Sequence, residues 1–298
     1  MTAFSASDAA FTGFRIARER WRALPFWVAA NIVLSLALMA ALQGLPNDMP
    51  TPDMVQADPQ TFVSYAVHAA PVFLLVLGVG LVGQSLIASA MYRAVLKPDQ
   101  AAFGYLRLGA DELRVLAATL IYAVIVFGVE FAVVLAAGLI GAAANTFAPA
   151  AGVWVNSAAL AAAVCVVMAV AVRLSLLGPL AFDSGRVHLP RAWRMTKARF
   201  WSIFGAYALA IALALVVAVL GLVVEAGVEA ALGGEAPASA STFAALHPLT
   251  QLASPAGIAD LLVSALISAL IWPVTFTPAA VIYGRLATAT PDAGSTSA

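Results

Sequence analysis

Apolar residues along this chain gather into long uninterrupted runs, and these runs predict its main structural elements. A transmembrane α-helix needs about 20 consecutive, mostly apolar residues. Six stretches reach that length, and the second and third can continue further as helix. In chain order they are Phe26–Leu45, Ala70–Ala90, Val115–Leu135, Ser157–Leu177, Phe204–Val224 and Ala259–Ala279. The sequence therefore predicts an all-α polytopic membrane protein with six transmembrane helices.

A second pattern lies just before the first, third and fifth of these runs. Apolar or neutral residues recur there at positions i, i+3, i+7 and i+10, which is the spacing of one helix face. A cation stands at i+4 in each copy. The copies are Phe14, Ala17, Trp21, Leu24 with Arg18; Phe103, Leu106, Ala110, Leu113 with Arg107; and Trp193, Thr196, Phe200, Ile203 with Lys197. Arginines and aromatics at a membrane interface can produce part of such a pattern by themselves. Because the spacing, the cation and the start of the following run all agree, we predict an internal repeat.

Each predicted repeat is an amphipathic helix in the membrane interface followed by two transmembrane helices. Two crossings return the chain to its starting side, so the three copies share one orientation about a pseudo-threefold axis near the membrane normal. We predict a single six-helix membrane domain over residues 1–287, with repeats at about 10–98, 99–179 and 186–287. Residues 288–298 are predicted to be a disordered cytoplasmic tail. Residues 46–60 and 233–256, which are rich in turn-forming residues, are predicted to be exposed loops.

The composition supports a membrane location and argues against a soluble domain. The chain has 298 residues, of which 63% are hydrophobic, and its mean hydropathy is +0.96. Only 10% of the residues are charged, against about 25% in an ordinary soluble protein. The 15 basic and 15 acidic residues cancel, so no overall charge favours nucleic acid as a partner.

The cations are distributed unevenly between the connections. Every Lys and Arg lies before the first run, between the second and third, at the end of the fourth, between the fourth and fifth, or after the sixth. The opposite connections contain only acidic charges, at Asp48, Asp53, Asp58, Glu225, Glu229 and Glu235. Since cytoplasmic loops are enriched in Lys and Arg, the N- and C-termini are predicted to be cytoplasmic. Arg173 is interpreted as a cation at the inner end of the fourth helix, with its side chain reaching the headgroups.

Glu130 is the one carboxylate deep within a predicted transmembrane helix. An ionisable residue in such a place is costly and is by default a candidate functional site, here for proton coupling or cation binding. The alternative is a protonated or hydrogen-bonded glutamate between helices, with Asn31 or Gln84 as its partner. The sequence leaves both interpretations open.

Other candidate chemistry has little support in the sequence. Gly78–Gly83 matches a dinucleotide-binding fingerprint in its letters, but it lies in mid-helix, where small residues instead allow helices to approach closely. The three histidines are dispersed, and the single cysteine, Cys165, is predicted to be a small buried residue. No spacing suggests a metal site, a phosphate-binding loop or a catalytic nucleophile. We therefore predict that the protein is not an enzyme and uses no cofactor or metal.

The basic residues near the predicted interface suggest partners. We expect them to contact membrane lipids, in particular anionic headgroups, or a cytoplasmic protein. Setting the membrane topology is the alternative role for the same cations. The candidate contacts are Arg18, Arg107, Lys197, Arg194 and Trp193.

Three segments resemble a known bacterial family. They are RLSLLGP at Arg173–Pro179, RAWRMTK at Arg191–Lys197 and the aromatic pair Phe200–Trp201. Together they are similar to uncharacterised six-span inner-membrane proteins of the YciC type, and to the membrane domain of some glycerophosphodiester phosphodiesterases. In that family the phosphodiesterase activity belongs to a separate soluble domain. The resemblance therefore implies a six-helix fold in the bacterial inner membrane without enzymatic activity.

Two functional hypotheses follow. The first is a non-enzymatic inner-membrane protein that associates with envelope lipids or binds a partner. The second is a small transporter or channel that uses the intramembrane Glu130.

Overall fold

The computed structural model describes residues 6–45, 53–54, 58–147, 149–232 and 249–289. Within them the chain is helical and contains no β-strand. The helices are α1 (Ala6–Glu19), α2 (Leu24–Leu42), α3 (Pro59–Leu96), α4 (Ala110–Phe147), α5 (Pro149–Leu174), α6 (Leu177–Ser184), α7 (Leu189–Lys197), α8 (Phe200–Ala231) and α9 (Pro255–Ala289). Short 3₁₀ turns lie at Trp21–Ala23, Ala102–Tyr105 and Leu249–Ala253.

Six helices are long and apolar enough to cross a membrane, namely α2, α3, α4, α5, α8 and α9. This confirms the predicted all-α, multi-pass architecture. Helices α3 and α4 each have 38 residues, so both extend well beyond the predicted minimal spans. At 1.5 Å per residue each is about 57 Å long, which exceeds the thickness of the bilayer hydrocarbon.

The fourth predicted span ends earlier than expected. Helix α5 ends at Leu174, and a separate helix begins at Leu177. Proline has no backbone N–H, so Pro179 cannot donate to the carbonyl of Ser175, and its ring crowds that carbonyl. The Ser175 hydroxyl donates to the carbonyl oxygen of Val172 at 2.8 Å, where α5 ends. The chain therefore breaks before Pro179 and restarts with the proline in the first turn of α6.

The helix predicted before each transmembrane pair is present in the first and third predicted repeats, where it ends at Glu19 and at Lys197, before the predicted face is complete, and it is absent in the second. Helices α1 and α7 precede α2 and α8, each after a short break. In the second copy Phe103 lies in a 3₁₀ turn, and regular helix begins only at Ala110. The helix face predicted to join Phe103, Leu106, Ala110 and Leu113 is therefore absent.

Helix α1 packs against α8 and α9 through a face of small residues. Ala9, Thr12, Gly13 and Ile16 are buried there. A Cβ atom on Gly13 would lie 2.5 Å from the Cα atom of Val274 in α9, so only glycine permits this approach. Of the predicted apolar face of this segment, Phe14 and Trp21 are exposed, whereas Leu24 packs against the core cluster that contains Trp27.

Residues 290–298 of the predicted tail and most of the predicted loops at 46–60 and 233–256 lie outside the described residues. Helix α9 continues through Ala289, two residues beyond the predicted end of the membrane domain.

Candidate functional site

The cation-bearing segments come together at one end of the helix bundle, which we call the basic end. Asp8 in α1 forms an ion pair with Arg285 near the end of α9. Further contacts join the end of α3 to α6, the end of α5 to α7, and the segment after α1 to the turn before α4. In each contact a cation lies over an aromatic ring. Lys97 Nζ is 4.6 Å from the centre of the Phe182 ring, the Arg173 guanidinium is 5.6 Å from the centre of the Trp193 ring, and the Arg20 guanidinium is 5.7 Å from the centre of the Tyr105 ring.

Arg93 forms a buried polar centre within this end. Its side chain is 2% exposed and that of Glu112 is 7% exposed, and the two form an ion pair. Arg93 also donates a hydrogen bond to the carbonyl oxygen of Tyr105 at 2.6 Å, and its guanidinium lies 5.3 Å from the centre of the Phe182 ring. These contacts fix the end of α3 to the start of α4 and to α6.

A half-buried carboxylate extends this centre towards the surface. Asp111 accepts a hydrogen bond from Arg114 at 2.7 Å and lies 3.7 Å from Lys97 Nζ. On the other side of α6, Tyr283 donates to Asp183 at 2.8 Å. Several basic-end cations therefore hold the structure together and are not available to an external ligand.

The turn before α4 has an unusual backbone. Phe103, Gly104 and Tyr105 have φ values of 53°, 64° and 68°, which lie in the left-handed region that non-glycine residues rarely adopt. Trp27 in α2 donates its indole N–H to the carbonyl oxygen of Gly104 at 2.8 Å. Since Arg93 binds the next carbonyl, two buried side chains hold this conformation, as strained backbone segments require.

This turn forms one end of an apolar groove between α2 and α3, with a volume of about 1210 Å³. Every residue lining the groove is apolar except Arg107. Those from α2 are Phe26, Ala29, Ala30, Val33, Leu34 and Ala37; those from α3 are Leu74, Leu75, Gly78, Val79, Val82, Gly83, Leu86 and Ile87; and those from the turn are Ala102, Phe103, Leu106, Arg107 and Leu108.

The glycines of the groove wall do not all serve the close packing that the sequence suggested. A Cβ atom on Gly83 would lie 2.5 Å from a methyl carbon of Leu34, so Gly83 does allow α2 and α3 to approach. Gly78 and Gly80 have no atom within 4 Å of such a Cβ. The groove opens beside Gly78, which belongs to its lining.

The candidate contact residues are exposed at the basic end but do not form one cluster. Arg18 lies on α1, Arg194 and Lys197 lie on α7, and Arg107 lies at the groove. Trp193 is 41% exposed and packs against Arg173.

Helix α7 presents its cations outward because its other face is fixed. Ala192 and Thr196 are fully buried. The Thr196 hydroxyl donates to the carbonyl oxygen of Arg173 at 3.1 Å, which ties α7 to the end of α5. Arg194 and Lys197 are left on the exposed face.

Glu130 is exposed on α4 and does not line the groove. Sixteen residues separate it from Arg114, so it lies about 24 Å along the helix from the basic end. Neither Asn31 nor Gln84 hydrogen-bonds to it in the described part of the chain. Only 6% of the most apolar stretch of this helix is buried, against 33% for α9. Glu130 therefore lies on the outer surface of α4.

Residues that could hold a metal or act as nucleophiles remain scattered. No group of three or more His, Cys, Asp or Glu side chains in the described residues could hold a metal ion. Cys165 is exposed on α5, so its predicted burial is wrong. An apolar side chain in a membrane helix can face lipid as readily as protein, which explains the difference.

Sequence reasoning missed the residues that shape the site. Glu112 and Trp27 have no local sequence signal that sets them apart from other residues near the predicted spans. Glu112 binds Arg93, 19 positions away, and Trp27 binds Gly104, 77 positions away. The only local signal was Gly104, since glycine is the usual residue for a left-handed turn. Comparisons with protein-family models, with curated proteins and with solved structures found no match.

Proposed function

We propose that this chain is a non-enzymatic protein of the bacterial inner membrane that holds anionic phospholipid headgroups at its basic end. The observation that carries the proposal is the orientation of α7. Its buried face is fixed to the end of α5, so Arg194 and Lys197 point away from the protein, where headgroup phosphates can reach them. Each Lys or Arg near an anionic membrane surface contributes about 1 kcal/mol of attraction.

Exposed tryptophans support this placement. Trp21, Trp193 and Trp201 are 64%, 41% and 78% exposed, and all three lie beside cations of the basic end. Tryptophan is enriched at the level of the headgroups, where its ring is apolar and its N–H can bind water or phosphate. The resemblance to six-span inner-membrane proteins of the YciC type belongs to the same proposal.

The orientation follows from the same cations. Because Lys and Arg are enriched on the cytoplasmic side, the basic end and both termini are proposed to face the cytoplasm. An alkaline phosphatase reporter, which is active only outside the cytosol, should be active when fused at Leu232, the residue after α8. Activity of a cytosol-dependent reporter at the same position would reverse the orientation.

Headgroup binding is tested with two charge variants of α7. The protein is reconstituted in vesicles of phosphatidylcholine with increasing phosphatidylglycerol, and its relative affinity for the two lipids is measured at low and high salt. Arg194→Gln with Lys197→Gln should weaken the preference for phosphatidylglycerol by about fivefold per cation at low salt. Arg194→Lys with Lys197→Arg keeps both charges and should bind as the unmodified protein does. A protein indifferent to lipid charge and to salt would refute the proposal.

A second candidate function, a small transporter or channel, rests on Glu130. The observation that favours this function is the presence of an ionisable side chain within an apolar helix. Placing such a group in a membrane is energetically costly and by default indicates a functional role.

A further inference from the structure

We infer that the groove between α2 and α3 is a binding site for one anionic phospholipid, with its acyl chains along the helices and its phosphate at Arg107. This inference rests on the proposed preference for anionic headgroups and adds to the basic end one specific site that contributes to it. The groove has an apolar interior and a single cation at one end, which is the polarity of a phospholipid.

The dimensions of the groove match one leaflet of a bilayer. Its α2 wall runs from Phe26 to Ala37 and its α3 wall from Leu74 to Ile87, which correspond to about 17 and 20 Å of helix. The hydrocarbon core is about 30 Å thick, so one leaflet accounts for about half of it. The groove therefore accommodates the acyl chains of a lipid whose headgroup lies at the basic end.

Arg107 has the donors that a phosphate requires. Its guanidinium can donate five N–H groups in a planar fork that binds phosphate through two parallel hydrogen bonds. Within the described part of the chain its one hydrogen bond is to the Gln100 side chain at 3.4 Å, and it forms no ion pair. Most of its donors therefore remain available at the mouth of the groove.

The position of Arg107 is fixed by the turn that carries it. Trp27 donates to the carbonyl of Gly104 and Arg93 to that of Tyr105, three and two residues before Arg107 respectively. A cation on a fixed backbone loses less freedom when it binds than one on a mobile loop. The buried polar centre and the groove are in this way parts of one site.

Charge complementarity favours a lipid over a second protein chain as the occupant. A transmembrane helix from another copy would fill the apolar walls but would need an acidic residue at the level of Arg107. Four of the six acidic side chains that the described residues place at the basic end already have partners within the chain, namely Asp8, Asp111, Glu112 and Asp183. A phospholipid brings its phosphate to the level of the basic end without any such requirement.

The test counts lipids retained by the purified protein with native mass spectrometry, after exposure to equal amounts of phosphatidylglycerol and phosphatidylcholine. The unmodified chain should retain one phosphatidylglycerol. Gly78→Phe places a ring in the groove, where a Cβ meets nothing within 4 Å, and should abolish retention. Gly80→Phe makes the same change two residues away, at a position that is equally open but outside the groove lining, and should retain the lipid.

The headgroup contact has its own pair of variants. Arg107→Gln should remove the preference for phosphatidylglycerol over phosphatidylcholine, whereas Arg114→Gln, a cation that pairs with Asp111 and lies outside the groove lining, should keep it. Retention of phosphatidylglycerol by both Gly78→Phe and Arg107→Gln would overturn the inference. A dimer mass that is lost only in Gly78→Phe would assign the groove to a second copy and equally overturn it.

The same data separate this inference from the proposed function. If the preference for anionic lipid persists in both Gly78→Phe and Arg107→Gln, the proposed function stands and the groove is not the binding site. If the unmodified protein retains phosphatidylcholine and phosphatidylglycerol equally, and Gly78→Phe loses both, the groove binds acyl chains. The headgroup preference in both proposals is then refuted.

Discussion

The guanidinium of Arg93 and the carboxylate of Glu112 form an ion pair with both side chains almost completely buried. Removing two charges from water is costly, and the pair is tolerated because Arg93 also binds the Tyr105 carbonyl and faces the Phe182 ring. The pair joins the ends of α3 and α4, the two helices on either side of the turn that holds Arg107.

Removing one partner of this pair should be strongly destabilising. Arg93→Met leaves the Glu112 carboxylate buried without a counterion, and the expected cost is about 3–5 kcal/mol. Replacing both residues, as in Arg93→Met with Glu112→Leu, should cost less than the sum of the two single changes, because no uncompensated charge remains. Unfolding in mixed micelles followed by circular dichroism measures all three.

Arg114→Met is the matched control for the pair. Arg114 is 42% exposed and pairs with Asp111, so its replacement should cost no more than about 1 kcal/mol. Equal losses for Arg93→Met and Arg114→Met, or strict additivity in the double variant, would show that burial does not govern the Arg93 pair.

Gly104→Ala should both destabilise the protein and weaken lipid retention. Its φ of 64° costs an L-residue about 1–2 kcal/mol, and the new Cβ would lie 2.8 Å from that of Phe26. We expect the turn to shift and to move Arg107 from the mouth of the groove. Stability and retained phosphatidylglycerol are measured together, with Gly109→Ala as the control, since a Cβ there makes only an ordinary 3.4 Å contact. If Gly104→Ala lost stability but kept the lipid, the turn would not position Arg107.

Gly13→Ala should loosen α1 from α9. The added methyl group would lie 2.5 Å from the Cα atom of Val274 and 2.7 Å from the Pro273 carbonyl oxygen, both of which are backbone atoms that cannot rotate away. Overpacking of this kind costs about 1–3 kcal/mol. Gly128→Ala, on an open face of α4, should instead gain up to about 1 kcal/mol from helix propensity. Equal unfolding free energies for the two variants would contradict the packing described for α1.

Glu130→Gln distinguishes the proposed function from the transporter alternative. Glutamine keeps the shape of the side chain and removes its charge, and Glu130 lies outside both the groove and the basic end. We therefore expect unchanged lipid retention and, in vesicles loaded with a pH-sensitive dye, the same proton permeability with either chain. Proton or cation flux through the unmodified protein that is lost in Glu130→Gln would instead establish transport.

The number of membrane helices could be predicted from the sequence because crossing a bilayer imposes a minimum apolar length. Runs such as Phe204–Val224 and Ala259–Ala279 satisfy it without any knowledge of their neighbours. The break in the helix before Pro179 could also be anticipated in part from the sequence. Pro179 lies four residues after Ser175 and has no N–H to donate to the Ser175 carbonyl. The repeat pattern was less reliable, because the spacing through Phe103 and Ala110 also fits a left-handed turn followed by a helix.

The sequence by itself determined the lipid-crossing segments and the separation of Lys and Arg from the opposite connections. Tertiary structure alone decided that Gly13 packs on Val274, that Glu112 pairs with Arg93, and that Arg107 lies at the end of an apolar groove. The physical reason is that lipid tails and protein cores are equally apolar, so a pattern of Ala, Val and Leu does not reveal which helix face meets protein. Only the packing of α2 against α3 leaves a groove between them.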